Sequence, residues 1–132
     1  MNAPDEVTTR ILLVEDEPGI SAVCRAVLTG VGFEVDIAPN GRTAQEMIEE
    51  SEYHLCLVDM LMPKMSGQEF YEWLRKRYPG TARMVIFTTG SVIDEEIMAF
   101  ISKSGRPFLP KPFVPDELRE KVQEVLRQAE ER

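Results

Sequence analysis

Short apolar, β-rich runs alternate five times along this chain with longer segments whose apolar residues recur at helical spacing, a pattern that predicts a parallel sheet covered by helices. The runs lie at residues 11–14 (ILLV), 33–38 (FEVDIA), 54–58 (HLCLV), 83–88 (RMVIFT) and 107–109 (PFL). The first, third and fourth read as strands buried on both faces, the second and fifth as sheet edges. A first helix opens at Pro18, carries Ile20, Val23 and Val27 as its apolar stripe, and stops at Gly30 and Gly32. Two more are expected over residues 42–50 and 66–78, the latter with Phe70, Trp73 and Leu74 inward and Pro79-Gly80 as its stop. A fourth spans 93–102. The fifth follows Lys111-Pro112-Phe113, with Asp116 and Glu117 in its first turn and Leu118, Val122, Val125 and Leu126 on one face.

The chain has 132 residues, 43% of them hydrophobic, which fits one domain over residues 10–130 preceded by a polar, frayed tail at 1–9. A domain of this length buries roughly 68–70% of its unfolded surface and needs no disulfide or structural metal. Cys24 and Cys56 lie in apolar stretches without metal-ligand spacing, and no targeting leader precedes them, so a cytoplasmic setting is expected. No apolar run approaches the roughly 18 residues of a membrane span, so membrane insertion is not expected. A net charge of −8 argues against direct nucleic acid binding.

In an open α/β sheet, ligands bind beyond the carboxyl ends of the strands, so the reactive inventory is read there. Strand one ends in Glu15-Asp16-Glu17, strand three in Asp59, strand four in Thr88-Thr89, and Lys111 follows strand five. If strands one and three are neighbours, as in the doubly wound order 2-1-3-4-5, the carboxylates of Glu15, Asp16 and Asp59 converge. Like charges that close call for a cation, and a hard, oxygen-liganded ion such as Mg²⁺ suits them and keeps positions for phosphate oxygens. Asp59 is then a candidate nucleophile toward a phosphoryl group, with Lys111 neutralising the transferred charge and Thr89 bonding a phosphate oxygen. Singly, each feature has a plainer explanation: the acids cap the first helix, Asp59 closes a turn, and Lys111 is a solvated loop lysine. His54 stands alone and takes no chemical role. Met60, Met62 and Met65 read as loop packing, and Arg75-Lys76-Arg77 as a solvated helix face.

Taken jointly, ILLVEDEP, LCLVDMLMPKMSG, VIFTTG and FLPKPF resemble, in order and spacing, the receiver domains of two-component response regulators over nearly the whole chain. The resemblance implies a flavodoxin-like fold: five parallel strands in the order 2-1-3-4-5 flanked by five helices. It implies that Asp59 is the phosphoacceptor, that Glu15, Asp16, Asp59 and the Leu61 backbone carbonyl hold Mg²⁺ or Mn²⁺, and that Lys111 and Thr89 contact the phosphoryl group. Thr89 and Phe108 match the switch pair, and a cis peptide is implied at Lys111-Pro112. The resemblance also implies a sensor histidine kinase or histidine phosphotransfer protein as donor. It implies output through the face of the fourth helix, fifth strand and fifth helix, which here would include Ile97, Met98, Ile101 and Phe108, to an unidentified protein.

The chain departs from the family pattern at informative places. Glu15 stands where many members have a second Asp, which lengthens that arm by one methylene. Leu61 and Ser91 occupy positions that in the family influence loss of the phosphoryl group, and an apolar Leu61 cannot orient water, so slow self-dephosphorylation is expected. Phe108 lacks the hydroxyl of a tyrosine. The run TGSVIDEEIMAFISKSGRPFLPKPF resembles receivers of hybrid histidine kinases, whereas the start at Met1 suits a stand-alone regulator. No turnover of a free substrate is expected. The alternatives are a phosphohydrolase that passes through an aspartyl phosphate, disfavoured because Leu61 stands where such enzymes carry a second aspartate, and a degenerate receiver serving only as an interaction module.

Overall fold

A computed structural model describes residues 8–90 and 93–131. The tail expected at residues 1–9 therefore falls mostly outside the described residues, as does Ser91. Five strands, β1 (Arg10–Val14), β2 (Glu34–Ala38), β3 (Leu55–Asp59), β4 (Val85–Thr89) and β5 (Phe108–Pro110), form one sheet. Its order is β2-β1-β3-β4-β5 and every pairing is parallel. The helices are α1 (Pro18–Val31), α2 (Gly41–Glu50), α3 (Gly67–Arg77), α4 (Pro79–Ala82), α5 (Glu95–Ser104) and α6 (Pro115–Glu130). The doubly wound arrangement stands as expected, with β1, β3 and β4 interior and β2 and β5 at the edges.

Two cores follow from strand alternation, because successive side chains point to opposite faces. Leu12, Val14, Cys56, Val58, Val85 and Phe87 meet α2, α3 and α5 through Ala44, Ile48, Phe70, Leu74 and Ile101. Ile11, Leu13, Leu55, Leu57 and Ile86 meet α1 and α6 through Cys24, Leu28, Leu118 and Val122. His54 ties the sheet together at its other end, where its Nδ1 accepts the Arg10 N–H at 2.9 Å as β1 and β3 begin.

The differences from expectation have local causes. Among the described residues there are six helices rather than five, because Tyr78 precedes a proline and leaves helical geometry at φ −137°, after which Pro79 starts the separate turn α4. Val23 is 57% exposed; Ser21, Cys24 and Leu28 face the sheet instead, with Ile20 and Val27 beside them. Helix α5 begins two residues later than expected, since the Asp94 carboxylate accepts the Ile97 N–H at 3.1 Å and caps it there, leaving Ile93 outside and 92% exposed. No helix among the described residues is long and apolar enough to cross a membrane.

The turn from β3 into α3 is held by a close backbone approach. Gly67 donates its N–H to the Met60 carbonyl at 3.1 Å, and a Cβ at residue 67 would stand 2.5 Å from the Asp59 carbonyl oxygen and 2.8 Å from the Met60 Cα. Both obstacles are backbone at the strand end that carries Asp59. Gly67→Ala is therefore expected to destabilise the fold by about 1–3 kcal/mol, read as a lower urea midpoint. Gly30→Ala, in open space on α1, should instead leave stability unchanged or raise it by up to about 1 kcal/mol. A Gly67→Ala midpoint equal to wild type would refute the packing argument.

Candidate phosphoryl-accepting site

Four strand ends supply one cluster. The chain leaves β1 into Glu15 and Asp16, β3 ends in Asp59, β4 ends in Thr89, and Lys111 follows β5. Because β1 and β3 are hydrogen-bonded neighbours with Val14 opposite Val58, the acids after them come level. One carboxylate oxygen from each of Glu15, Asp16 and Asp59 lies within 4.8 Å of the others. The Lys111 Nζ donates to Glu15 Oε1 at 2.7 Å and stands 3.4 Å from Asp59 Oδ2. Backbone bonds orient the remaining oxygens: the Glu17 N–H reaches Glu15 Oε2 at 3.2 Å, and the Leu61 N–H reaches Asp59 Oδ1 at 3.3 Å. The Thr89 carbonyl accepts the Lys111 N–H at 2.7 Å, fixing the lysine's backbone to the end of β4.

The electrostatics follow from burial. Glu15 is 3% exposed and Asp59 4%. Desolvation, reinforced by the charge on Glu15, pushes the Asp59 carboxyl up from 3.8 to about 6, against the opposing pull of Lys111 and the Leu61 N–H. Burial works to lower the Lys111 ammonium, but its bond to Glu15 and the charges of Asp59 and Glu15 outweigh it and raise it above 10.5. Cys24, beside this cluster, is pushed up to about 11 by burial and by Glu15. The thiol stays protonated and inert. The three carboxylates are hard oxygen donors at a spacing that fits a small divalent cation, and such an ion would offset the repulsion that lifts Asp59.

The residues singled out from sequence are thus found in different settings. Glu15, Asp16, Asp59 and Lys111 converge, with Thr89 fully buried alongside. Leu61 is bound to Asp59 through its N–H and leaves its side chain 54% exposed. The Lys111–Pro112 peptide is cis. Phe108, half-buried on β5, lies opposite Phe87 of β4. Ile97 and Met98 are partly buried against the core. Ile101 does not belong to an exposed face: it is 2% exposed and is the residue by which α5 enters the core, because the side of the helix that carries it meets the sheet. Sequence reasoning missed two things. It overlooked Gly67, although a glycine directly after the Ser66 cap was the available signal, and it did not pair Glu15 with Lys111.

Comparison with known proteins places the chain among signalling domains. The profile described as "Response regulator receiver domain" matches residues 11–123. The response regulator Rre1 of Synechocystis is 32% identical over 117 residues, covering 88% of this chain and 51% of that protein. A CheY-like response regulator receiver domain protein from Methanospirillum hungatei superposes with a TM-score of 0.87 at 32% identity, covering 95% of this chain and 98% of that one. The response regulator TrrA of Thermotoga maritima, solved in complex with Mg²⁺ and BeF, superposes with a TM-score of 0.78 at 31% identity, covering 89% and 99%. The chain spans about half the length of the curated relatives it matches.

The raised Asp59 carboxyl makes stability depend on pH in a defined direction. Folded Asp59 titrates near 6 while the unfolded group titrates near 3.8, so ionising it costs stability as pH rises through that window. In metal-free buffer at pH 7.5, Asp59→Asn is expected to melt several degrees above wild type, a gain on the order of 1–3 kcal/mol. The advantage should shrink below pH 6 and vanish near pH 4. Equal melting temperatures across that range would show that Asp59 carries no such penalty.

Proposed function

Because the chain belongs to the response regulator receiver domain family, we propose that it is a phosphorylation switch in which Asp59 takes a phosphoryl group from a phosphohistidine of a sensor histidine kinase or histidine phosphotransfer protein. The observation that carries this reading is the convergence of Glu15, Asp16 and Asp59 within 4.8 Å beside the Lys111 ammonium. In the transfer, an Asp59 carboxylate oxygen forms a bond to phosphorus as the nitrogen–phosphorus bond of the donor breaks, and the imidazole leaves and takes up a proton. Lys111 sits where it can pair with the phosphoryl oxygens, and the Thr89 hydroxyl is the donor that would turn toward them. Glu15, Asp16, Asp59 and the Leu61 carbonyl are the proposed ligands of Mg²⁺ or Mn²⁺, which when bound neutralises charge on the phosphoryl group. That the similar TrrA was solved with Mg²⁺ and BeF supports the choice of cation.

The same edge suits a protein donor. Val23, Leu61, Ile93 and Val114 are large apolar residues more than half exposed, and each lies in the loop or early helical turn that follows a strand's carboxyl end. A partner presenting a phosphohistidine would cover them. On the output side, Thr89 ends the strand that holds Phe87, and the rings of Phe87, Tyr71 and Phe100 touch edge to face, linking β4 to α3 and α5. Phosphorylation is proposed to shift the face of α5, β5 and α6, with Phe108, Ile97 and Met98 contacting the output protein. Packing alone must carry the movement of Phe108. This holds for a stand-alone regulator and for a receiver module of a hybrid histidine kinase. The free, buried Cys24 and Cys56 suit a reducing cytoplasm.

Intact-mass spectrometry after incubation with Mg²⁺ and acetyl phosphate tests the assignment. One added phosphoryl group is expected, lost in Asp59→Asn and in the presence of EDTA. Continuous release of phosphate with no adduct would point to a phosphohydrolase, and neither adduct nor release from the folded protein, with acetyl phosphate or with a phosphorylated histidine kinase as donor, would favour an interaction module. The apolar, half-exposed Leu61 offers no group to orient attacking water, so the phospho-protein should persist well beyond a few seconds at neutral pH. Loss within seconds would overturn that expectation.

A further inference from the structure

Lys111 is shared unequally. Its ammonium is 2.7 Å from Glu15 and 3.4 Å from Asp59, so the residue proposed to serve the phosphoryl group is held chiefly by another carboxylate. The pair is well enclosed, with the side chain of Glu15 2% exposed and that of Lys111 15%. Both oxygens of Glu15 are engaged, Oε1 by Lys111 and Oε2 by the Glu17 N–H. The backbone of Glu15 is fixed as well, since its N–H donates to the Ala38 carbonyl at 3.0 Å. Reach therefore depends on side-chain length. An aspartate on the same backbone would end about 1.5 Å shorter, beyond hydrogen-bonding distance of the Lys111 ammonium.

Glu15 thus has two claimants. It holds Lys111, and it is also one of three acids spaced for a divalent cation. Both Glu15 oxygens are already engaged, Oε1 by Lys111 and Oε2 by the Glu17 N–H, so taking a cation as ligand means giving up a partner. We propose that Glu15 is a positioning residue that parks Lys111 in the metal-free protein. When Glu15 turns toward a cation, Lys111 passes to Asp59, so that filling the acidic cluster and arming the lysine become one coupled step. This inference rests on the cation reading given above.

Calorimetric titration of the full chain with MgCl₂ tests it through a double-mutant cycle on Glu15→Asp and Lys111→Met. Removing the ammonium strengthens cation binding by simple electrostatics in either background, so the informative quantity is the difference between backgrounds. Parking predicts that Lys111→Met tightens Mg²⁺ binding at least about fivefold more with Glu15 present than with Asp at that position. Equal gains in the two backgrounds overturn the proposal while leaving the cation site intact, whereas no Mg²⁺ binding by any of the four proteins overturns the cation reading itself. The wild-type chain supplies a second readout that needs no variant. The ¹⁵N resonance of the Lys111 ammonium should move on adding Mg²⁺, and in Glu15→Asp it should lie near the Mg²⁺-shifted position beforehand. An ammonium signal unmoved by saturating Mg²⁺ also overturns the proposal.

Discussion

Two buried carboxylates sharing one ammonium set the terms for the rest of this molecule. Glu15 and Asp59 are both at most 4% exposed, and Asp16 adds a third acid within 4.8 Å. Such a cluster is unfavourable by itself: desolvation and mutual repulsion hold Asp59 near 6, and Lys111 relieves only part of the strain. The fold keeps the groups together because each sits at the end of a strand or directly after one. Moving any acid away would mean slipping a strand by one residue, which would turn its core side chains to the opposite face. The charge cluster is therefore held by the hydrophobic core, whose burial offsets the repulsion among the acids.

The parallel topology brings the acids together with few residues. Strands β1 and β3 are adjacent in the sheet although some forty residues of chain separate them, and the crossover through α1, β2 and α2 returns the chain to the same edge. Acids at two successive carboxyl ends must then meet. Fine placement comes from backbone contacts rather than from more side chains. The Leu61 and Glu17 N–H groups aim the carboxylates, Gly67 lets the start of α3 lie against Asp59, and the Thr89 carbonyl holds Lys111 by its N–H.

The legible parts of the fold were those governed by pattern. Continuous apolar runs at 11–14, 54–58 and 83–88 marked the buried strands, and the acids, Thr89 and Lys111 stood out because each followed such a run. Features decided by helix phase or by distant partners were not legible. Val23 is as apolar as Val27, yet a rotation set by how close Ser21 and Cys24 let α1 approach the sheet leaves it in solvent. Ile101 reads as one more apolar residue on an amphipathic helix, and only packing shows that it enters the core. The contact between Glu15 and Lys111 joins residues 96 apart, and nothing local to either one announces it.

The route from the site to the surface follows from how unevenly the helices are anchored. Among the described residues α3 buries Gly67, Phe70, Tyr71 and Leu74, and α6 buries Leu118, Val122 and Val125, whereas α5 buries Ile101 alone. A helix with one fully buried residue costs less to shift than one with three or four, since the free energy of displacement scales with the apolar area uncovered. That helix also carries Phe100, whose ring meets both Tyr71 and Phe87, and Phe87 is two residues from Thr89 on β4. On the proposed reading, a change in how Thr89 is bonded would reach α5 through one strand and one ring contact, while α3 and α6 hold the rest of the sheet in place. The acids need a rigid frame to stay together, and a switch needs one part of that frame to be loose. Here the loose part is the helix that follows the strand ending in Thr89.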